Sequence, residues 1–138
     1  MPDEESLIKI EALSGSLRDR RRFVQFQFHL YRNAPLWVPP LIRDELRSLD
    51  AHSNPGLQDC DLQLWLAMRG DECVGRIAGV INRRDNELRE VKAARFCLLD
   101  FVDDAEVLKL LLDAVGDWAS KKKMTLLEGP LGLTTFER

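Results

Sequence analysis

Cysteine, tyrosine and unbroken apolar stretches are all scarce in this chain of 138 residues, and each shortage removes a class of protein. The three cysteines, Cys60, Cys73 and Cys97, form no CxxC pair and leave an odd number, which speaks against a disulfide framework or a structural zinc site. All three sit in or beside apolar strand-like runs, so they are read as small buried hydrophobes of a reducing, cytoplasmic protein. No run approaches the roughly 18 apolar residues of a membrane helix; Arg76, Arg95 and Asp113 interrupt the longest ones. The start, Met1-Pro2-Asp3-Glu4-Glu5, is acidic where a secretory signal is positive. Basic excess is missing too: 20 Lys and Arg against 23 Asp and Glu give a net charge of -3, which argues against a dedicated nucleic-acid binder. No metal, membrane or nucleic-acid partner is expected. With 45% hydrophobic and 31% charged residues the chain has the composition of one folded domain.

What is present is a succession of clear periods. Leu7 to Ala12 alternates with period two and reads as a first strand. Ser16 can cap a helix carrying Phe23, Phe26 and Leu30, with Arg18, Arg20, Arg21 and Arg22 on its solvated face. Asn33-Ala34-Pro35-Leu36-Trp37-Val38-Pro39-Pro40 cannot be helix, because three prolines lack donors and extend their predecessors. A short amphipathic helix over Leu41–Leu49 follows, ended by turn residues from Asp50 to Gly56; His52 is read as a surface residue. Leu62, Leu64, Leu66 and Met68 then share one face of a second strand. Arg69-Gly70-Asp71-Glu72 turns it into a third, Cys73–Asn82, and the triplet Arg69-Gly70-Asp71 is part of a hairpin turn rather than an adhesion motif. The polar segment Arg83–Lys92 connects to a fourth strand, Ala93–Val102. Asp103, three residues before Glu106, predicts a capping box and a helix from Asp104, striped by Val107, Leu108, Leu111, Leu112, Val115, Trp118 and Ala119. Lys121-Lys122-Lys123 suits that helix's carboxyl end. Met124–Glu128 is a fifth strand, which a right-handed crossover places parallel to the fourth.

The expected fold is therefore α+β, in the order β-α-α-β-β-β-α-β, with a mostly antiparallel sheet, one parallel pair and helices on both faces. Residues 1-6 and 133-138 are expected to be flexible ends of a single domain.

This order, together with Leu30-Tyr31-Arg32, Pro35-Leu36-Trp37-Val38-Pro39-Pro40-Leu41, Val74-Gly75-Arg76-Ile77-Ala78, Ile81-Asn82-Arg83-Arg84 and Glu128-Gly129-Pro130-Leu131, resembles the amino-terminal part of a bacterial family of GNAT-like N-acyltransferases. The resemblance runs from about Leu17 to Leu131, and members of that family are longer than this chain. It implies acyl transfer from acyl-CoA or acetyl-CoA to an amine. It also implies a sheet that stops before the last elements of the fold, whose open edge another copy of the chain could cover. In the superfamily the CoA pyrophosphate rests on the loop entering the long helix, which here places Leu99, Asp100, Phe101, Val102, Asp104 and Ala105 at the cofactor. The usual loop carries a base and small residues; this one has neither glycine nor base, and the carboxylates of Asp103 and Asp104 oppose an anion. The superfamily's acid is commonly a tyrosine after the fifth strand. The chain's one tyrosine, Tyr31, lies instead among aromatics on the first helix, where a core position competes with the role of acid.

Glu87 and Glu90 are the nearest candidates for a general base. Asn82, Arg83 and Arg84 could hold an anionic substrate or simply form a turn. Trp37 could line a substrate cleft or pack its loop onto the sheet. Two functions are carried forward: part of an acyl-CoA-dependent N-acyltransferase, inactive by itself at this length, and a GNAT-like module that has lost CoA and serves interaction or structure.

Overall fold

The computed structural model describes residues 7–130; the two expected flexible ends lie outside them. Alternation along the strands decides the architecture. In β2 (Cys60–Arg69), Leu64 and Leu66 point to one side and Trp65 and Ala67 to the other, and all four are buried. Each face therefore needs a cover. Helices α1 (Leu17–Leu30) and α2 (Ile42–Ser48) cover the first face, where Phe23 and Val24 join Leu64, Leu66, Ala78, Val80 and Cys97. Helix α4 (Ala105–Lys121) covers the second, where Val107, Leu111 and Val115 meet Trp65, Ala67, Val74 and Ile77.

The sheet has five strands in the order β1-β2-β3-β4-β5. β1 (Ile8–Ala12) pairs antiparallel with β2, β2 with β3 (Glu72–Asn82), and β3 with β4 (Ala93–Phe101); β5 (Leu126–Glu128) runs parallel to β4. The hairpin between β2 and β3 closes on Gly70 and Asp71, with Gly70 at a φ of 61° that a side chain would resist. A 3-10 turn, Pro55–Leu57, precedes β2 and buries Leu57.

α4 lies close on β3 because Gly75 and Gly79 present bare backbone to it. A Cβ at Gly79 would fall 2.8 Å from the Trp118 ring, and one at Gly75 2.8 Å from Val107. Trp118 meets Trp65 edge-on at 5.6 Å across the same gap.

Two expectations are corrected. Arg83–Lys92 is not a plain connection: Arg83–Arg89 forms helix α3, because Asn82 Oδ1 accepts from the Asp85 amide and starts a turn that ends with Glu90 in the left-handed region. The element order is thus β-α-α-β-β-α-β-α-β. The cap of α4 is Asp104, not Asp103. Asp104 is extended at φ -148° and takes the Glu106 amide at 2.9 Å, and its other oxygen is held by Arg69 at 2.7 Å. A partner across the hairpin favours the second carboxylate over the first.

Candidate functional site

β4 changes character half-way along. Ala93, Ala94 and Arg95 pair with Leu126, Leu127 and Glu128, and there β5 ends. At Gly129 the chain passes against the Phe96 ring so closely that a Cβ would stand 2.5 Å from it. From Phe96 to Phe101, β4 has no neighbour on its outer side among the described residues.

On its inner side the ladder slips at the same place. Arg76 faces Asp100 and Ala78 faces Cys97, so Leu98 and Leu99 together stand opposite Ile77, with Leu98 at a φ of 53°. This is a bulge: one residue more than the ladder can use, with part of its backbone turned out of register. A leucine in the left-handed region is strained, so the surrounding packing imposes the bulge rather than the residue choosing it.

Beyond the bulge Asp100 organises a polar chain across the sheet. Arg76, only 3% exposed, sends its Nε to Asp100 Oδ2 at 3.0 Å and a second nitrogen to the same oxygen at 2.9 Å. Its remaining nitrogen donates to the Phe23 carbonyl at 3.1 Å, and its guanidinium lies 4.7 Å over the Phe23 ring. The buried guanidinium is thus paired, hydrogen-bonded and stacked, as a charge in a core must be. On the other side Tyr31 donates its hydroxyl proton to Asp100 Oδ1 at 2.6 Å. That bond to a carboxylate, with burial, pushes the phenol up to about 12. Tyr31 then stacks on Trp37 at 5.6 Å, and Trp37 meets Phe28 edge-on at 5.4 Å. Trp37 therefore packs its loop onto α1, not onto the sheet.

One turn before Tyr31 on α1, the buried Gln27 side chain has an Nε2 with no hydrogen-bond partner. It stands in the row Phe23, Gln27, Tyr31 that a helix presents along one face.

At the entrance to α4 the amides of Glu106, Val107 and Leu108 are engaged. The Glu106 amide is taken by the Asp104 side chain, and those of Val107 and Leu108 by the Asp104 carbonyl, at 3.1 and 3.4 Å. Leu99, Phe101 and Val102 turn to the α4 side and pack with its apolar stripe, and the Val102 amide bonds the Val74 carbonyl.

The structure thus joins Tyr31, Trp37 and Asp100, and places Asp104 and Ala105 just beyond. It does not join them to the rest of the expected set. Asn82 caps α3, Arg83 pairs with Asp61, and Arg84 lines a surface hollow of about 680 Å³ with Pro55, Asp59 and Leu88. Glu87 and Glu90 are exposed on α3, which Asn86 ties to the Ala93 carbonyl at the opposite end of β4. From Ala93 to the bulge is roughly 16 Å at 3.3 Å per residue. Three features of the site are not named as site residues by the sequence: Arg76, Gln27 beside the network, and the bulge. Arg76 had a signal, a lone charge inside an apolar run; Gln27 and the bulge had none. Among the described residues no cluster of His, Cys, Asp or Glu could hold a metal ion.

Solved structures with this arrangement include acetyltransferases. A tandem GNAT protein from the clavulanic acid biosynthesis pathway superposes with a TM-score of 0.65 at 15% identity, over 94% of this chain and 38% of that one. An aminoglycoside acetyltransferase from an uncultured soil metagenomic sample, in complex with sisomicin, gives 0.61 at 15% identity, over 91% of this chain and 78% of that one. A predicted acetyltransferase from Clostridium acetobutylicum, with acetyl-CoA, gives 0.56 at 10% identity, over 96% and 84%. The fold is GNAT-like.

Within this GNAT-like frame β5 ends its pairing with β4 beside the bulge. No protein-family model matches the chain. Two curated proteins do: Protein YghO of Escherichia coli (strain K12), 30% identical over 115 residues, and the bacterial ceramide synthase of Caulobacter vibrioides, 30% identical over 118. These stretches are 83% and 85% of this chain but 29% and 31% of the relatives, so the chain spans about three-tenths of their length.

Proposed function

We propose that the chain forms the donor side of an acyl-CoA-dependent N-acyltransferase, and that the acceptor is a long-chain amine of the kind a ceramide contains. The observation that carries the reading is the bulge at Leu98 and Leu99, lying where β4 leaves β5. A bulge frees backbone donors from the ladder, and a fixed donor aimed at a carbonyl that becomes an oxyanion is the common electrostatic device of acyl transfer. The amine nitrogen attacks the thioester carbon, the C–N bond forms, the C–S bond breaks, and the proton that the nitrogen sheds balances the one the departing thiolate takes up. The acceptor class rests on the relative named a ceramide synthase, since ceramide is an amide.

Tyr31 is not assigned the proton. Its hydroxyl is committed to Asp100, and a phenol held near 12 gives up a proton less readily than a free one. With Asp100 and Arg76 it instead holds the bulged half of β4 in place. Glu87 and Glu90, at the far end of β4, are not assigned the base. The chain alone is therefore expected to bind donor without turnover.

The entrance to α4 favours a second reading. A pyrophosphate on this helix would have to displace Asp104 from the Glu106 amide, and no glycine brings the backbone closer. The CoA head is accordingly a poor fit here, and a GNAT-like module without CoA is the alternative. Calorimetry of the chain with acetyl-CoA and with acyl-CoAs of increasing length separates them. The first reading expects heat that grows with acyl length, because the tail rather than the pyrophosphate supplies affinity; no heat at any length leaves the module.

A further inference from the structure

The segment between α1 and α2 turns one ring inward and leaves its aliphatic neighbours in water. Trp37 is pinned against Phe28 and Tyr31, while Leu36 before it is 93% exposed and Val38 after it 83%. Pro35, Pro39 and Pro40 fix their own φ and carry no amide hydrogen, so the segment cannot coil into a helix that would hide these side chains. The apolar line continues through Leu41, 64% exposed, to Ile42, 41% exposed, at the head of α2.

Ile42 also borders a shallow groove of about 450 Å³ between α1 and α2. Leu17 forms part of its floor, and Arg20, Arg21, Arg43 and Arg47 stand around it with a single carboxylate, Asp50. Asp50 lies 3.8 Å from Arg20; Arg21, Arg43 and Arg47 make no ion pair among the described residues. The acids of α2, Asp44 and Glu45, are not part of the groove. In a chain whose net charge is -3, this face carries the opposite sign.

We propose that this face docks the protein on an anionic phospholipid bilayer, with lipid phosphates among the four arginines and Leu36, Val38 and Leu41 in the boundary between headgroups and acyl chains. Exposed aliphatic side chains beside a cationic rim are the two components of interfacial binding, and neither suffices alone. The guanidinium fork matches a phosphate. An RNA would use the arginines but not an aliphatic ridge without an exposed ring; a protein partner would use the ridge without requiring the arginines. The docking face is distinct from the open edge of β4, and the inference holds whether or not the chain transfers acyl groups.

Co-sedimentation with vesicles tests it without any activity readout. Vesicles of phosphatidylcholine with about 30 mol % phosphatidylglycerol are expected to bind at least about tenfold more chain than pure phosphatidylcholine, and the difference should collapse in about 0.5 M salt. The double variants L36D/V38D and R43E/R47E, all at exposed positions, should each cut binding at least about fivefold with unchanged circular dichroism. Equal binding to both vesicles, or none, overturns the proposal. So does loss with R43E/R47E alone, which would mark a bare anion site that inorganic phosphate should then occupy. A dimer that L36D/V38D dissociates, in a chain that ignores vesicles, would show that a second copy covers this face. Salt-dependent RNA binding without vesicle binding would overturn it equally.

Discussion

Asp100 is the residue on which the site turns, because it accepts from Arg76 on one side and Tyr31 on the other. The Tyr31 phenol is raised from 10 to about 12 in the folded chain, so its contribution to stability is complete below pH 10 and is lost as pH rises through about 12. Urea midpoints taken across pH 9 to 12.5 should fall over the upper part of that range in the wild type, and Tyr31→Phe should remove the share of the fall that belongs to this hydroxyl. Arg76→Met is a harsher change. It leaves the Asp100 carboxylate without its guanidinium and the Phe23 carbonyl without a donor, and should cost about 3 kcal/mol in urea unfolding; adding Asp100→Leu to it should recover much of the loss. At this scale the sequence was legible where one residue stands out from its neighbours. Tyr31 and Trp37 were conspicuous as rare side chains, and Asp100 fell in the loop that the resemblance marks. Their meeting was not legible, because 69 residues separate Tyr31 from Asp100 and no period connects them.

Among the elements, α4 shows how a cap can compete with a ligand. Asp104→Ala removes the side chain that holds the Glu106 amide and the partner of Arg69, and should destabilise the fold by about 1–2 kcal/mol. The same change frees an amide at the positive end of the helix and deletes a carboxylate. A CoA affinity severalfold higher in this less stable variant is therefore the expected calorimetric result, and an unchanged affinity would place the donor elsewhere. Strands and long helices are readable, β2 as an apolar run of strand length with Leu62, Leu64, Leu66 and Met68 on one face, and α4 as an apolar stripe at spacings of three and four. α3 was missed because its seven residues bury nothing and so print no stripe; only Asn82 and Asp85 signal it. The cap of α4 is ambiguous in the sequence because Asp103 and Asp104 both satisfy the local rule, and the deciding partner, Arg69, is 35 residues away.

For the molecule as a whole, stability should be graded from the middle of the sheet outward. β2, β3 and the inner part of β4 are paired on both sides and covered on both faces, whereas α2 and α3 have no buried residue. Native-state hydrogen exchange should show the amides of β2 and β3 opening only with global unfolding and those of α2 and α3 exchanging far earlier. Protection in α2 equal to that of β3 would refute the gradient. No helix among the described residues is long and apolar enough to cross a membrane, and the vesicle experiment concerns a protein that would lie on a bilayer rather than span it.

The bulge has one more effect, on the search for the native pairing. Residues on β4 before it meet β3 in one phase and residues after it in the next, as Ala78 with Cys97 and Arg76 with Asp100 record. A uniform strand could slide by two positions and still turn its apolar side inward. β4 cannot slide without moving its surplus residue to a new position and leaving Arg76 opposite something other than a carboxylate. The irregularity therefore acts as a keyway: it admits one alignment of β4 on β3 and turns away neighbouring alignments that hydrophobic alternation alone would accept.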